Sequence, residues 1–330
     1  MKEKMWAILL FIGGNTGPRH FSELPFDPEV WDLVLKKAVE SGVNTFLMDV
    51  GDGVEFSSHP EIAVKNAWSK SRFKEEFKRV KDLGITMIPK FNFATTHSRW
   101  MGKYARMVST PEYYHFCRDL IYEVYDLFEQ PEYIHLGMDE ETLKHCRDMP
   151  LAICRQGELF WHDLRFLLDC VHDTGAKPWI WSCPLFNDPE GFKAHVKPDE
   201  VVISPWYYNS IRKEHWTPIE SRSEYVVYYN ENEYKNMGLK YVEEDPFLVQ
   251  FRELALPLMK EGYNYVPCVS VYNRCPHNTH DLIEYFRDNA PDDQIVGYLT
   301  APWYRTIKGS EELLAESFDL LKSAKEQFYK

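Results

Sequence analysis

The 330-residue sequence predicts a TIM-type (β/α)8 barrel, and three observations carry that prediction. Short apolar runs alternate with amphipathic helical segments along the chain, eight runs in all. The runs are almost continuously apolar rather than strictly alternating, the pattern of parallel strands covered on both faces. A chain of this length that is 44% hydrophobic has the material for one large core. Residues 1–330 are therefore expected to form a single barrel domain.

The first run, "WAILLFIGG" (6–14), follows a short charged start and has the flavour of a secretory leader. No small-residue cleavage site follows, so it is read as strand one. Strands two to four are "NTFLMDVG" (44–51), "ITMIPKFNF" (85–93) and "YIHLGMDE" (133–140). Strands five and six are "KPWIWSCP" (177–184) and "VVISPWYY" (201–208), and the last is "IVGYLTAPWY" (295–304). Between them lie helices with start and stop signals. "PEVWDLVLKKAVESG" has Pro at its start and Gly at its end, and "TPEYYHFCRDLIYEVYDLFE" opens on a Thr-Pro pair suited to a cap and first turn. "KEEFKRVKDLG", "GELFWHDLRFLLDCVHDTG", "DPFLVQFRELALPLMKEG", "HDLIEYFRDN" and "SEELLAESFDLLKSAKEQF" supply the others. The connection after strand five is thin, with only "PEGFKAHV" as a helix. Residues 209–245 are long for a connection and read as an insertion; strand seven is either "EYVVYY" (224–229) within it or "YVPCVSVYN" (265–273) beyond it.

A net charge of -13 argues against nucleic acid and against an anionic membrane surface as partners. No apolar run approaches the ~20 residues needed to span a bilayer. Seven scattered cysteines fit reduced thiols and a cytoplasmic location. Cys268, Cys275, His277 and His280 form the one dense His/Cys spot, but their spacing matches no zinc pattern, and neither a metal nor a cofactor is expected.

Active sites of such barrels lie at the C-terminal ends of the strands. Those ends carry Asp49 and Asp52, Lys90 and Asn92, Asp139 and Glu140, Trp181, then Trp206, Tyr207 and Tyr208, then Tyr272, and finally Trp303 and Tyr304. Acids among many Trp and Tyr suit a carbohydrate, whose apolar ring faces stack on aromatics while its hydroxyls meet polar groups. Histidines are scarce at these ends, unlike the rim of a metal-dependent isomerase.

"IHLGMDE" resembles the His-x-Gly-Gly-Asp-Glu motif of the family 20 glycoside hydrolases, the β-N-acetylhexosaminidases, with Met138 in place of the second Gly. "GPRHF" (17–21) resembles the segment carrying the family's sugar-binding Arg, here Arg19. "GVNTFLMDVGDGVEF" resembles its acidic second-strand segment, "GITMIPKFNFATTHS" its Pro-Gly-His segment with His97 as the His, and "IVGYLTAPWY" its eighth-strand segment ending in Trp303. Lys90 replaces an acid, a Thr precedes His97 in place of Gly, no Trp-Arg follows the second-strand acids, and Tyr304 stands where an acid is frequent. The likeness is collinear over most of the chain.

Glu140 is the expected general acid, with a pKa raised by aromatic walls. Strand alternation places His135, Gly137 and Asp139 on one face and Glu140 on the other, so a bulge or turn is needed to bring both acids to one ligand. Glu141 reads as the start of the next helix. Strand seven ends "SVYNRC" without an acid, which favours attack by the sugar's own 2-acetamido oxygen. The resemblance then implies that Asp139 orients the acetamido group and that a Tyr binds its oxygen, with Tyr207, Tyr229 and Tyr272 as candidates. Arg19, Asp52, His97, Trp181, Trp206 and Trp303 complete the expected sugar-binding set. The alternatives are a glycosidase for another sugar, a barrel that binds carbohydrate without turnover, and a metal-dependent isomerase or aldolase using Asp49, Asp139 and His277.

Overall fold

Nine parallel strand segments pair side by side in a computed structural model that describes residues 3–17, 20–147, 153–215, 248–249 and 251–329. They are β1 (Met5–Phe11), β2 (Thr45–Asp49), β3 (Thr86–Lys90), β4 (Tyr133–His135), β5 (Lys177–Trp181), β6 (Val202–Ser204), β7 (Asn264–Tyr265), β8 (Cys268–Val269) and β9 (Gly297–Thr300). Their order is β7-β6-β5-β4-β3-β2-β1-β9-β8, so each strand from β1 to β6 lies beside its successor.

β7 and β8 are two halves of one stave. On one side Val266 N–H donates to Ile203 at 2.9 Å and Cys268 N–H to Pro205 at 2.8 Å. On the other, Val296 N–H donates to Tyr265 at 2.9 Å and Leu299 N–H to Pro267 at 3.0 Å. The stave therefore bridges β6 and β9 and closes an eight-stave (β/α)8 barrel. It divides at Pro267, which has no N–H to give the ladder. The stave beside β6 thus runs from Asn264 to Val269, overlapping the 265–273 run; 224–229, with most of the expected insertion, lies outside the described residues.

The helices lie where their caps direct. Asp27 accepts from Glu29 and Val30 N–H at 2.9 and 3.2 Å and opens helix Pro28–Ser41, which ends on Gly42 at φ 69°. Ser69 and Thr110 cap helices Lys70–Asp82 and Pro111–Leu127 in the same way. Helix Glu158–Thr174 ends on Gly175 at φ 94°. Among the described residues no helix is long and apolar enough to cross a membrane.

The alternation of strand side chains splits the core in two. Trp6, Ile8, Leu10, Phe46 and Met48 face the helices, whereas Ala7, Leu9, Phe11, Leu47, Ile88, Trp179, Trp181 and Leu299 fill the barrel. Asp49, Lys90 and His135 continue the inward parity of Leu47, Ile88 and Tyr133, and they are paired neighbours in register. The inner face therefore turns from apolar to charged toward the C-terminal ends of β2, β3 and β4.

Candidate active site

Past His135 the Leu136 N–H still donates to Trp179 at 2.8 Å and the Gly137 carbonyl still accepts from Trp181 at 3.0 Å, but at Gly137 the backbone turns left-handed. Gly137, Met138 and Glu140 have φ of 75°, 68° and 53°. A side chain at Gly137 is excluded twice over: by that φ, and because its Cβ would lie 2.2 Å from Asn92 Oδ1 and 2.7 Å from Asn92 Cα. His135, fully buried, accepts the Gly137 N–H at Nδ1 (2.9 Å), so its other nitrogen carries the proton and the ring is neutral. Burial and the Lys90 charge hold its pKa well below the ordinary imidazole value.

This turn brings Asp139 and Glu140 to one imidazole. His97 Nε2 lies 3.2 Å from Glu140 Oε2 and 3.5 Å from Asp139 Oδ2. His97 Nδ1 donates to the Thr16 carbonyl at 2.7 Å, so a proton on Nε2 as well makes the ring a cation between two carboxylates. Burial pulls the His97 pKa down, but the charge of Asp139, the hydrogen bond and charge of Glu140 and the Thr16 carbonyl raise it to about 9. Burial pushes Glu140 up, yet the hydrogen bond and charge of His97 and the charge of His145 (3.8 Å away) leave it below the ordinary carboxylate value. This differs from the raised pKa expected from the sequence, because a cation, not only aromatic walls, faces the carboxyl. Asp139 Oδ1 accepts from Asn92 Nδ2 at 2.7 Å, and the Asn92 carbonyl accepts the Trp100 indole N–H at 2.9 Å.

Glu141 does not open the next helix; that helix spans Leu143–Arg147. Glu141 is buried and takes a bidentate pair from Arg155, Nε to Oε1 at 2.7 Å and Nη2 to Oε2 at 2.6 Å. The Thr95 and Arg155 backbone N–H groups also donate to it, each at 3.0 Å. Arg155 continues to Asp163 (3.1 Å) and the Phe93 carbonyl (3.0 Å), which fastens the segment bearing the two acids to the loop after β3. Nothing in the sequence marks Arg155, because its partners meet it only through the fold.

Asp52 is buried and turned to the first loop: it accepts from the Asn15 side chain at 2.5 Å and the Gly14 N–H at 3.1 Å. It thereby supports Thr16, the partner of His97. Lys90 and Asp49 form a buried ion pair at 2.5 Å beneath the acids; burial raises the Asp49 pKa despite that lysine.

Trp181 is buried 4.7 Å from the His135 ring and 5.6 Å from that of Trp303, whose φ of 61° is strained for an aromatic residue. Trp206 stacks on Tyr208 at 5.1 Å, and Tyr208 lies 6.4 Å from Trp303. Tyr207 points the other way, into the outer core beside Phe251 at 6.4 Å. Tyr208 lies within reach of the charges of Asp139 and Glu140: burial above all, then Cys268 and those two carboxylates, pushes its pKa well up. The parity shared by Trp206 and Tyr208 is the signal that separates it from Tyr207. Tyr272 is exposed on the rim, while Arg19 and Tyr229 lie outside the described residues.

The Cys268, Cys275, His277, His280 spot is not gathered as one cluster. Cys268 fills the barrel, while His280 bonds Ser323 on the last helix at 3.0 Å. His277 instead stacks on His215, centroids 4.0 Å apart and planes at 16°, and His215 Nδ1 bonds Asp281 at 2.7 Å. One ligand atom each of His215, His277 and Asp281 lies within 4.8 Å of the others, and Arg212 stands 3.5 Å from Asp281. Among the described residues the other cluster of ligand type is His97, Asp139 and Glu140, whose imidazole nitrogens are both engaged as donors.

No family model and no curated protein sequence matches the chain. Solved structures do. Dispersin B superposes with a TM-score of 0.61 at 15% identity, over 99% of this chain and 100% of that one. A Streptomyces plicatus β-hexosaminidase in complex with its product GlcNAc gives 0.61 at 13% identity, over 99% of this chain and 68% of that one. The Vibrio harveyi GH20 exo-β-N-acetylglucosaminidase gives 0.58 at 15% identity, the chain spanning 58% of its length. The chain therefore shares the (β/α)8 barrel of β-N-acetylhexosaminidases of glycoside hydrolase family 20 over nearly its whole length.

Proposed function

We propose that the protein is a retaining, substrate-assisted glycoside hydrolase that removes a terminal N-acetylhexosamine. The observation that carries this reading is the pair at the end of β4: Asp139 fixed by Asn92 at 2.7 Å and Glu140 fixed by His97 at 3.2 Å, side by side in a mouth bordered by Trp181, Trp206, Tyr208 and Trp303. The family 20 barrel shared with the hexosaminidases supports it.

Glu140 gives its proton to the leaving glycosidic oxygen, drawing on the proton it shares with His97. The 2-acetamido oxygen attacks the anomeric carbon, because the stave after β8 continues Ser270-Val271-Tyr272-Asn273 with no carboxylate to do so. Asp139, held as an acceptor by Asn92, binds the acetamido N–H and stabilises the charge that develops on the ring nitrogen. Glu140 then takes a proton from the water that opens the cyclic intermediate, which returns the anomeric configuration to its starting sense. Tyr208 donates to the acetamido oxygen, and the indoles stack on the sugar ring.

The test is a panel of nitrophenyl glycosides. We expect turnover of an N-acetyl-glucosaminide or N-acetyl-galactosaminide, and loss of kcat/KM on the order of 10²–10⁴-fold in Glu140→Gln. No turnover of any member overturns the reading, and full activity in Glu140→Gln removes Glu140 from its role.

A further inference from the structure

Glu140 stands between two imidazoles, and the proposed hydrolysis uses only one of them. His97 Nε2 holds Oε2 at 3.2 Å. His145 Nε2 faces the other oxygen, Oε1, at 3.8 Å. That second ring is aimed by the start of its own helix, Leu143–Arg147. Thr142 Oγ1 accepts the His145 backbone N–H at 3.3 Å, as a helix cap does, and meets the ring at Nδ1 at 2.8 Å. Nε2 is then the nitrogen turned toward Glu140. The segment between the two is held at both ends: the Thr142 N–H donates to the Glu140 carbonyl at 2.9 Å, and Arg155 grips Glu141.

A carboxylate only accepts, so Nε2 faces it as an N–H whether the ring is neutral or charged. The gap of 3.8 Å is too long for a direct hydrogen bond. An oxygen set against both groups would accept from the imidazole and receive a proton from the acid. His97 occupies Oε2, so Oε1 is the oxygen that passes the proton. The Glu140 and His145 side chains are 30% and 24% exposed, so this edge of the carboxyl opens toward solvent, where a leaving group must depart.

We propose that His145 serves the leaving group of this site, donating its Nε2–H to the glycosidic oxygen while Glu140 Oε1 protonates it. The inference rests on the proposed hydrolysis and adds a group to it. The acetamido oxygen forms its bond to the anomeric carbon, and the bond from that carbon to the leaving oxygen breaks. The electron pair stays on the leaving oxygen, which takes the Glu140 proton. His145 transfers no proton; its N–H shares the negative charge that builds on that oxygen. In the second step the attacking water stands in the same place, accepting from His145 and giving its proton to Glu140.

The experiment measures kcat/KM on aryl N-acetylhexosaminides whose leaving group runs from dinitrophenol to phenol, in the wild type, His145→Ala and His145→Gln. Dinitrophenolate departs with little help, whereas phenolate needs both the proton and the donor. The loss in His145→Ala is expected to grow along the series, from about twofold with dinitrophenol to on the order of 10²-fold with phenol. His145→Gln, whose amide N–H has a similar reach, is expected to restore most of that loss. An unchanged slope in His145→Ala, or an equal loss on every leaving group, overturns the proposal. A Gln variant as steep as the Ala variant also overturns it, since the ring charge would then act only through Glu140. A wild type that turns over no member overturns the hydrolase reading and this inference with it; an active wild type whose slope His145→Ala leaves unchanged overturns this inference alone.

Discussion

Glu140 and His97 hold one proton between them, and its affinity sets the pH behaviour of the site. The His97 pKa is raised from its ordinary 6.5 to about 9, so its contribution to stability is complete below 6.5 and is lost as pH rises through about 9. Glu140 is lowered from its ordinary 4.5, so its contribution is present above 4.5 and lost as pH falls through its folded value. We predict a stability plateau between these limits, and a kcat/KM that falls as pH passes about 9. In His97→Asn the alkaline fall should move to lower pH, since the carboxyl alone then keeps the proton; an unmoved profile would separate His97 from the proton. At this scale the sequence reveals Asp139, Glu140 and His97 because each sits in a motif at a strand end. It separates Tyr208 from Tyr207 only by strand parity. Arg155 is invisible in it, since a lone arginine in a loop says nothing of a carboxylate that reaches it through the fold.

The turn after β4 is the element on which the site depends. Two residues make it, one by absence and one by burial. In Gly137→Ala the new Cβ would fall 2.2 Å from Asn92 Oδ1 and displace the amide that fixes Asp139. We expect a kcat/KM loss of roughly tenfold or more with the fold retained, read from kinetics and a thermal melt; unchanged kinetics would show that Asn92 does not position Asp139. Glu141→Gln leaves the buried Arg155 charge with Asp163 as its remaining carboxylate partner at 3.1 Å. Breaking a buried pair in this way should cost about 3 kcal/mol in a urea titration, and a loss within about 0.5 kcal/mol would place the pair among merely exposed ones. The sequence announces that a turn is needed, since alternation sets Asp139 and Glu140 on opposite faces. It does not announce that Glu141 belongs to an ion pair, because an acid before a short helix has an equally good local reason to be there.

The barrel as a whole is the most legible level. Strands buried on both faces must be apolar at every position, and helices between them must be amphipathic, so eight repeats of that alternation leave few other architectures. The ambiguity lay in the seventh stave. Pro267 cuts it into two-residue segments, too short for a pattern to announce, while "EYVVYY" reads as a better strand on propensity alone. Closure of the barrel through the hydrogen bonds of Val266, Cys268, Val296 and Leu299 decides it. That same closure brings Trp303, after the last strand, to Trp181 at 5.6 Å and Tyr208 at 6.4 Å, which completes the aromatic wall beside the two acids.

The central claim is that the substrate supplies its own nucleophile. It is tested most directly by kcat/KM on aryl 2-deoxy-2-acylamido-glycosides whose acyl group runs from acetyl through mono- to trifluoroacetyl. Fluorine drains the amide oxygen of electron density while leaving the leaving group unchanged. The account predicts a steep, monotonic fall along the series. Equal rates across it, or equal turnover of the 2-hydroxy glycoside, would contradict acetamido participation and require a nucleophile elsewhere in the chain.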